Sequence, residues 1–178
     1  ALQELGVCVI DCDALYHGLL ETDQELLREL ETAFPGVVER GALQRKKLGE
    51  RVFSDPEALA RLNVITTPRI CAAVKERVQS CEPQPCAIDA VGLVESGLSG
   101  LCSCTVAVTA PEEARVKRLM AREGISEDYA RLRIRAQKKN EVFAAACGLT
   151  IENHFDSAED FEKHCRCIFQ KLLKEDVQ

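Results

Sequence analysis

The chain has 178 residues, 46% of them hydrophobic and 29% charged, with a formal net charge of −6. That balance suits one compact globular domain, and the acidic total argues against a general nucleic-acid binder. No apolar run approaches the roughly 18 residues needed to cross a bilayer, and no charged-then-apolar leader opens the chain, so a soluble cytoplasmic protein with no membrane partner is the expectation.

Ala1 to Leu5 reads as the tail of a helix closed by Gly6. Val7-Cys8-Val9-Ile10 follows as a short apolar, β-branched run that predicts a buried parallel strand ending at Asp11. Helical patterns cover Asp13–Leu20 and Gln24–Phe34, the second stopped by Pro35-Gly36. Asp55-Pro56 is a helix start, with Asp as cap and Pro as first helical residue, and that helix is expected to end near Asn63. Another helix is expected from Pro68 to about Ser80. Cys86–Asp89 and Thr105–Thr109 predict two further strands, and the expectation is that all three strands lie parallel in one sheet. Glu112 and Ser126 open two helices through a basic stretch, Thr150-Ile151 is a last short strand, and Ser157–Lys174 a final amphipathic helix. Strands alternating with helices imply an α/β fold whose ligands bind at the carboxyl ends of the strands.

Ten cysteines invite a disulfide or metal reading. There is no CxxC pair, and His154, His164, Cys165 and Cys167 lack a recognised zinc spacing. Reduced, structural thiols are the expectation, with no metal ligands assigned. Charge is more informative. Residues 115–139 hold nine basic side chains and three acids, 9 − 3 = +6, leaving about −12 on the rest. Arg115, Arg118 and Arg122 share one helix face. A cationic cluster on an acidic protein points to a phosphate-bearing ligand, since guanidinium forks match phosphate oxygens; a solvated helix face is the structural alternative for any one arginine. Asp11, Asp13 and Asp89 stand at strand tips, where an open α/β sheet takes its ligand. Asp11 and Asp13, two apart, are expected to point the same way along the pleat. Helix capping is the structural alternative for Asp13.

Leu5-Gly6 through Val9-Ile10-Asp11-Cys12-Asp13 to His17 resembles an early motif of the dephospho-coenzyme A kinases. Leu48-Gly49, Val52-Phe53-Ser54-Asp55-Pro56, Leu62-Asn63, Pro68-Arg69-Ile70, Arg118-Leu119-Met120-Ala121-Arg122, Arg133-Ile134-Arg135-Ala136-Gln137 and Ile151-Glu152-Asn153 continue the likeness in family order. Two departures fall in the substrate region. Thr67 stands where the family has His, and Val91-Gly92 replace its Pro-Leu between Asp89 and the matching Leu93 and Glu95.

The resemblance implies a three-layer parallel-sheet P-loop kinase forming one domain over 1–178, with a helical substrate-side region near 14–80 and an arginine-bearing lid near 115–140. It implies transfer of the ATP γ-phosphate to the ribose 3′-hydroxyl of dephospho-coenzyme A, with ATP as donor, Mg²⁺ as companion ion and no nucleic-acid partner. By the same likeness Asp13 is the base and Arg122 and Arg133 meet phosphate charge. Asp11, His17, Asp89 and Glu95 serve the substrate; Arg118, Gln137 and Asn153 serve the nucleotide. Family members open with a strand, a G-x-x-x-x-G-K-[ST] loop and a helix, and the sequence begins near the end of that helix. The expectation is therefore that the gene product carries roughly twenty further residues including that loop, and that without them ATP binds poorly. Another small-molecule P-loop kinase acting on nucleosides or nucleotides, or a non-catalytic binding module, are the alternatives that the residues leave open.

Overall fold

A computed structural model describes residues 1–175; the last three residues of the domain expected over 1–178, Asp176, Val177 and Gln178, lie outside them. In chain order the elements are β1 (Cys8–Asp11), α1 (Cys12–Thr22), α2 (Gln24–Ala33), β2 (Val38–Glu39), β3 (Ala42–Leu43), α3 (Arg45–Val52), α4 (Pro56–Cys81) and β4 (Cys86–Asp89). There follow β5 (Val106–Thr109), α5 (Glu112–Glu123), α6 (Glu127–Arg135), α7 (Asn140–Ala146), β6 (Leu149–Glu152) and α8 (Ala158–Glu175). Short 3₁₀ turns occupy Gln3–Leu5 and Leu98–Leu101. The residues fall into two compact units: an N-unit, Cys8–Ser96, and a C-unit that joins Ala1–Val7 to the chain from Gly97 onward.

The fold is α/β with parallel strands, as the apolar runs predict. The expected single sheet is not one ladder, however. β1 pairs parallel with β4 in the N-unit, and β5 pairs parallel with β6 in the C-unit. An apolar β-branched run says that a strand is buried but not which strand lies beside it. Val7 and Thr105 fall just outside the strands they were expected to open.

The N-unit is built on the amphipathic α2. Leu26, Leu27 and Leu30 recur at helical spacing and are buried, which for a leucine is worth about 1.5–3 kcal/mol of transfer free energy. They share a core with Leu20, Phe34, Val37, Leu48, Val52 and Ala58. A short antiparallel hairpin, β2 with β3, turns through Arg40 and Gly41, both at positive φ (52° and 77°). Glu31 steadies its entry by accepting from the Gly36 and Val38 amides at 2.6 and 2.7 Å.

Where two helices were expected around Pro68, one 26-residue helix, α4, runs through it. A proline in a helix interior frees the carbonyl four residues back, which here belongs to Val64. Val64 is 75% exposed, so water can take over that acceptor. Arg69 then ties the continuing helix to its neighbour: it donates to both oxygens of Glu29 at 2.9 Å and to Asp23 at 3.1 Å. Asp23 is itself the N-cap of α2, bonded to Leu26 N at 2.9 Å.

The expectation of uniformly reduced thiols is also corrected. Cys8 on β1 and Cys81 at the end of α4 form a disulfide, with Cα atoms 6.2 Å apart and 73 residues of separation. Ten cysteines without a spacing signature gave no hint of which two would meet. In the C-unit, α5 and α6 pack as a helical hairpin over Val116, Ala130 and Ile134. Gly124 ends α5 at φ 64°, returning its N–H to the Met120 carbonyl at 2.9 Å.

Candidate functional site

In the N-unit the parallel register sets Asp11 directly beside Asp89, so two carboxylates leave the strand ends at one level. Asp11 is the N-cap of α1: its Oδ1 accepts from Ala14 N at 2.9 Å. The helix already begins at Cys12, and Asp13 therefore lies in its first turn rather than on the pleat of β1. The expected common direction of Asp11 and Asp13 along a strand does not hold, and the capping role that competed for Asp13 belongs to Asp11. Asp13 is exposed and sits at the positive end of the helix dipole, a favourable place for a carboxylate.

Partial burial raises the Asp89 carboxyl above its ordinary value, and the charges of Asp11 and Asp13 add to the rise. Cys12, buried beside them, is pushed up to about 11, first by burial and then by Asp89, Asp13 and Asp11. This thiol stays protonated near neutrality and is no nucleophile there. His17 follows Asp13 by one helical turn, on the same exposed face, with its ring 6.4 Å from that of Tyr16. Glu95 lies in the exposed turn after β4. An open cleft of about 570 Å³ runs along α4, bordered by Asn63, Val64, Thr67, Pro68, Cys71 and Ser96.

In the C-unit the basic stretch resolves into distinct partnerships. Arg118 and Asn153, both expected at the nucleotide, meet: Arg118 Nη2 donates to Asn153 Oδ1 at 3.3 Å and to the Phe155 carbonyl at 2.9 Å. Gln137 is bonded instead to Arg115. Arg122 and Arg133 converge on one carboxylate: Arg122 donates to Glu123 Oε1 at 2.8 Å, and Arg133 to Glu123 Oε2. Glu123 is held below the usual carboxylate range by these bonds, that from Arg122 first. Arg131 is held by three acids, Glu112, Glu113 and Glu127, and reads as structural. Glu123 and the Phe155 carbonyl were not among the candidate residues. The signal for Glu123 was its position next to Arg122, as the single acid in the α5 half of the basic stretch. A backbone carbonyl leaves no such trace.

Among the described residues no group of three or more His, Cys, Asp or Glu side chains could hold a metal ion. None of the described helices is long and apolar enough to cross a membrane.

Comparison with known proteins gives a consistent answer. A family model described as dephospho-CoA kinase matches residues 1–159. The dephospho-CoA kinase of Thermus thermophilus is 34% identical over 171 residues, spanning 96% of this chain and 82% of that protein. That of Anaeromyxobacter dehalogenans is 38% identical over 157 residues, 85% of this chain and 74% of its own. Among solved structures, TT1252 from Thermus thermophilus superposes with a TM-score of 0.74 at 34% identity, covering 96% of this chain and 87% of that one. Dephospho-CoA kinase from Campylobacter jejuni gives a TM-score of 0.63 at 27% identity, covering 98% and 89%.

Proposed function

Because the chain belongs to the dephospho-CoA kinase family, a family of ATP-dependent kinases, we propose that it phosphorylates the ribose 3′-hydroxyl of dephospho-coenzyme A, with Asp13 as the base. The observation that carries the residue assignment is the division of labour at the start of α1. Asp11 satisfies the helix cap at 2.9 Å, and Asp13 next to it is exposed. A carboxylate in that position accepts the hydroxyl proton as the oxygen attacks phosphorus. Asp11, His17, Asp89 and Glu95 hold the acceptor on this reading. The helical region 14–80, with its open cleft along α4, serves the substrate side.

Arg122 and Arg133 meet the phosphates and offset the charge that spreads over the transferring group. Arg118, Gln137 and Asn153 hold the nucleotide, and residues 115–140 act as a lid within a single kinase domain. Arg118 supports this by its bond to Asn153. Among the described residues no cluster of acids, histidines or cysteines would hold a metal ion; Mg²⁺, held mainly by substrate phosphates in such sites, would offset their charge. A cytoplasmic setting fits these substrates.

The test is Asp13→Asn in the complete gene product, assayed with ATP and dephospho-coenzyme A. Turnover falls by roughly 10²-fold or more, the usual worth of a positioned base, with ATP affinity retained. Native turnover in this variant would remove Asp13 from the chemistry.

A further inference from the structure

Glu123 is one anion shared by two arginines. Its side chain is 30% exposed, and each carboxylate oxygen takes a different arginine, Arg122 from the same helix and Arg133 from α6. The contrast within the same helical hairpin is instructive: at Arg131 three acids gather on one arginine, the pattern of a structural clamp. Glu123 has no helix role that would explain its presence. It is the last residue of α5, where the helix dipole disfavours negative charge, and the end of α5 is already closed by Gly124. Two guanidinium groups brought to the two oxygens of one small anion have the arrangement in which arginines grip two oxygens of a phosphate.

We infer that Glu123 is a stand-in anion: its carboxylate keeps Arg122 and Arg133 paired and neutralised until phosphate oxygens of the nucleotide displace it. The inference rests on the reading of Arg122 and Arg133 as phosphate-facing residues. Glu123 is then a positioning residue that acts through the arginines, and it sets how tightly nucleotide is held. The carboxylate must leave both arginines before nucleotide is bound, and the complex bears that cost. Requiring phosphate to compete with a carboxylate weakens that complex and eases product departure.

The sign of the effect tests this. In the full-length enzyme carrying Glu123→Gln, an isosteric amide that lacks the charge, the dissociation constant of ATP falls about two- to fivefold, the scale of one removed competing ion pair. The KM for ATP falls with it, and the gain shrinks as salt is raised. The melting temperature of this variant, measured alongside, stays near native, because the side chain is partly exposed and keeps its shape. Glu123→Ala, which removes shape and charge together, also tightens ATP. A merely structural glutamate gives the opposite: a lowered melting temperature with ATP affinity unchanged or weakened. Arg133→Gln separates the layers of the argument. If it weakens ATP binding while Glu123→Gln leaves it unchanged or weaker, the stand-in role alone is overturned. If both variants bind ATP and turn over as the native enzyme does, the phosphate reading of Arg133 has failed, and this inference with it.

Discussion

Asp89 takes up a proton more readily in the folded chain than a free aspartate does, for burial first and then Asp11 and Asp13 all disfavour its charge. A carboxyl whose folded pKa lies above its unfolded value contributes stability that is present below the unfolded value, 3.8, and lost as pH rises through the folded one. At neutral pH the ionised Asp89 is therefore a net cost to folding. Asp89→Asn melts higher than the native chain at pH 7, and the gap closes toward pH 3.5; a thermal melt at both pH values checks it, and an equal gap at both would refute the charge origin. Much of this neighbourhood was visible beforehand, since Asp11, Asp13 and Asp89 all follow apolar strand patterns. Which of Asp11 and Asp13 caps α1 was not, because that choice depends on whether the helix starts at Cys12 or one residue later. Glu123 went unassigned for a related reason: neighbouring residues on a helix do not face each other, and its bridging role needs the fold-back of α6.

At the scale of elements, α4 shows where local rules mislead. Pro68 marks a helix end in most sequences, and the reading of two helices followed from it. The rule gave way because Val64, whose carbonyl loses its donor, faces water, and because Arg69 anchors the next turn to Glu29 and Asp23. The cost of the proline remains inside the folded chain. Pro68→Ala, at an exposed position, restores the missing N–H and raises stability by about 1–3 kcal/mol, read from a denaturant midpoint. A midpoint that does not move would mean the helix is already relaxed around the proline. The hairpin of β2 and β3 was missed from the other side: two-residue strands carry too little pattern to register, and Arg40 at φ 52° is a residue that rarely marks a turn. The strands β1, β4 and β5, by contrast, were legible as apolar runs and β6 as the pair Thr150-Ile151, while the single sheet expected of the first three divides between β1-β4 and β5-β6.

The whole molecule divides along a line that no stretch of sequence announces, because the C-unit joins Ala1–Val7 to the chain from Gly97 onward. The Cys8–Cys81 bridge lies wholly within the N-unit and closes a loop that contains α1 through α4. Cross-linking a loop of that length restrains the unfolded chain, and its removal costs about 2–4 kcal/mol. Reduction with a dithiol, or Cys81→Ser, therefore lowers the denaturant midpoint and the hydrogen-exchange protection of α1 to α4. Identical midpoints with and without reductant would show that the bridge does not form in solution. The same division bears on synthesis. Residues 1–7 leave the ribosome ahead of the N-unit, yet their unit is completed only from Gly97 onward, and Glu4 pairs with Arg166 of α8, which is made well after Ser96. All residues of the N-unit have been made once Ser96 has emerged, and domains commonly fold as units in order of synthesis. Residues 1–7 are then a waiting thread, spliced into their unit only after the neighbouring one has already taken shape.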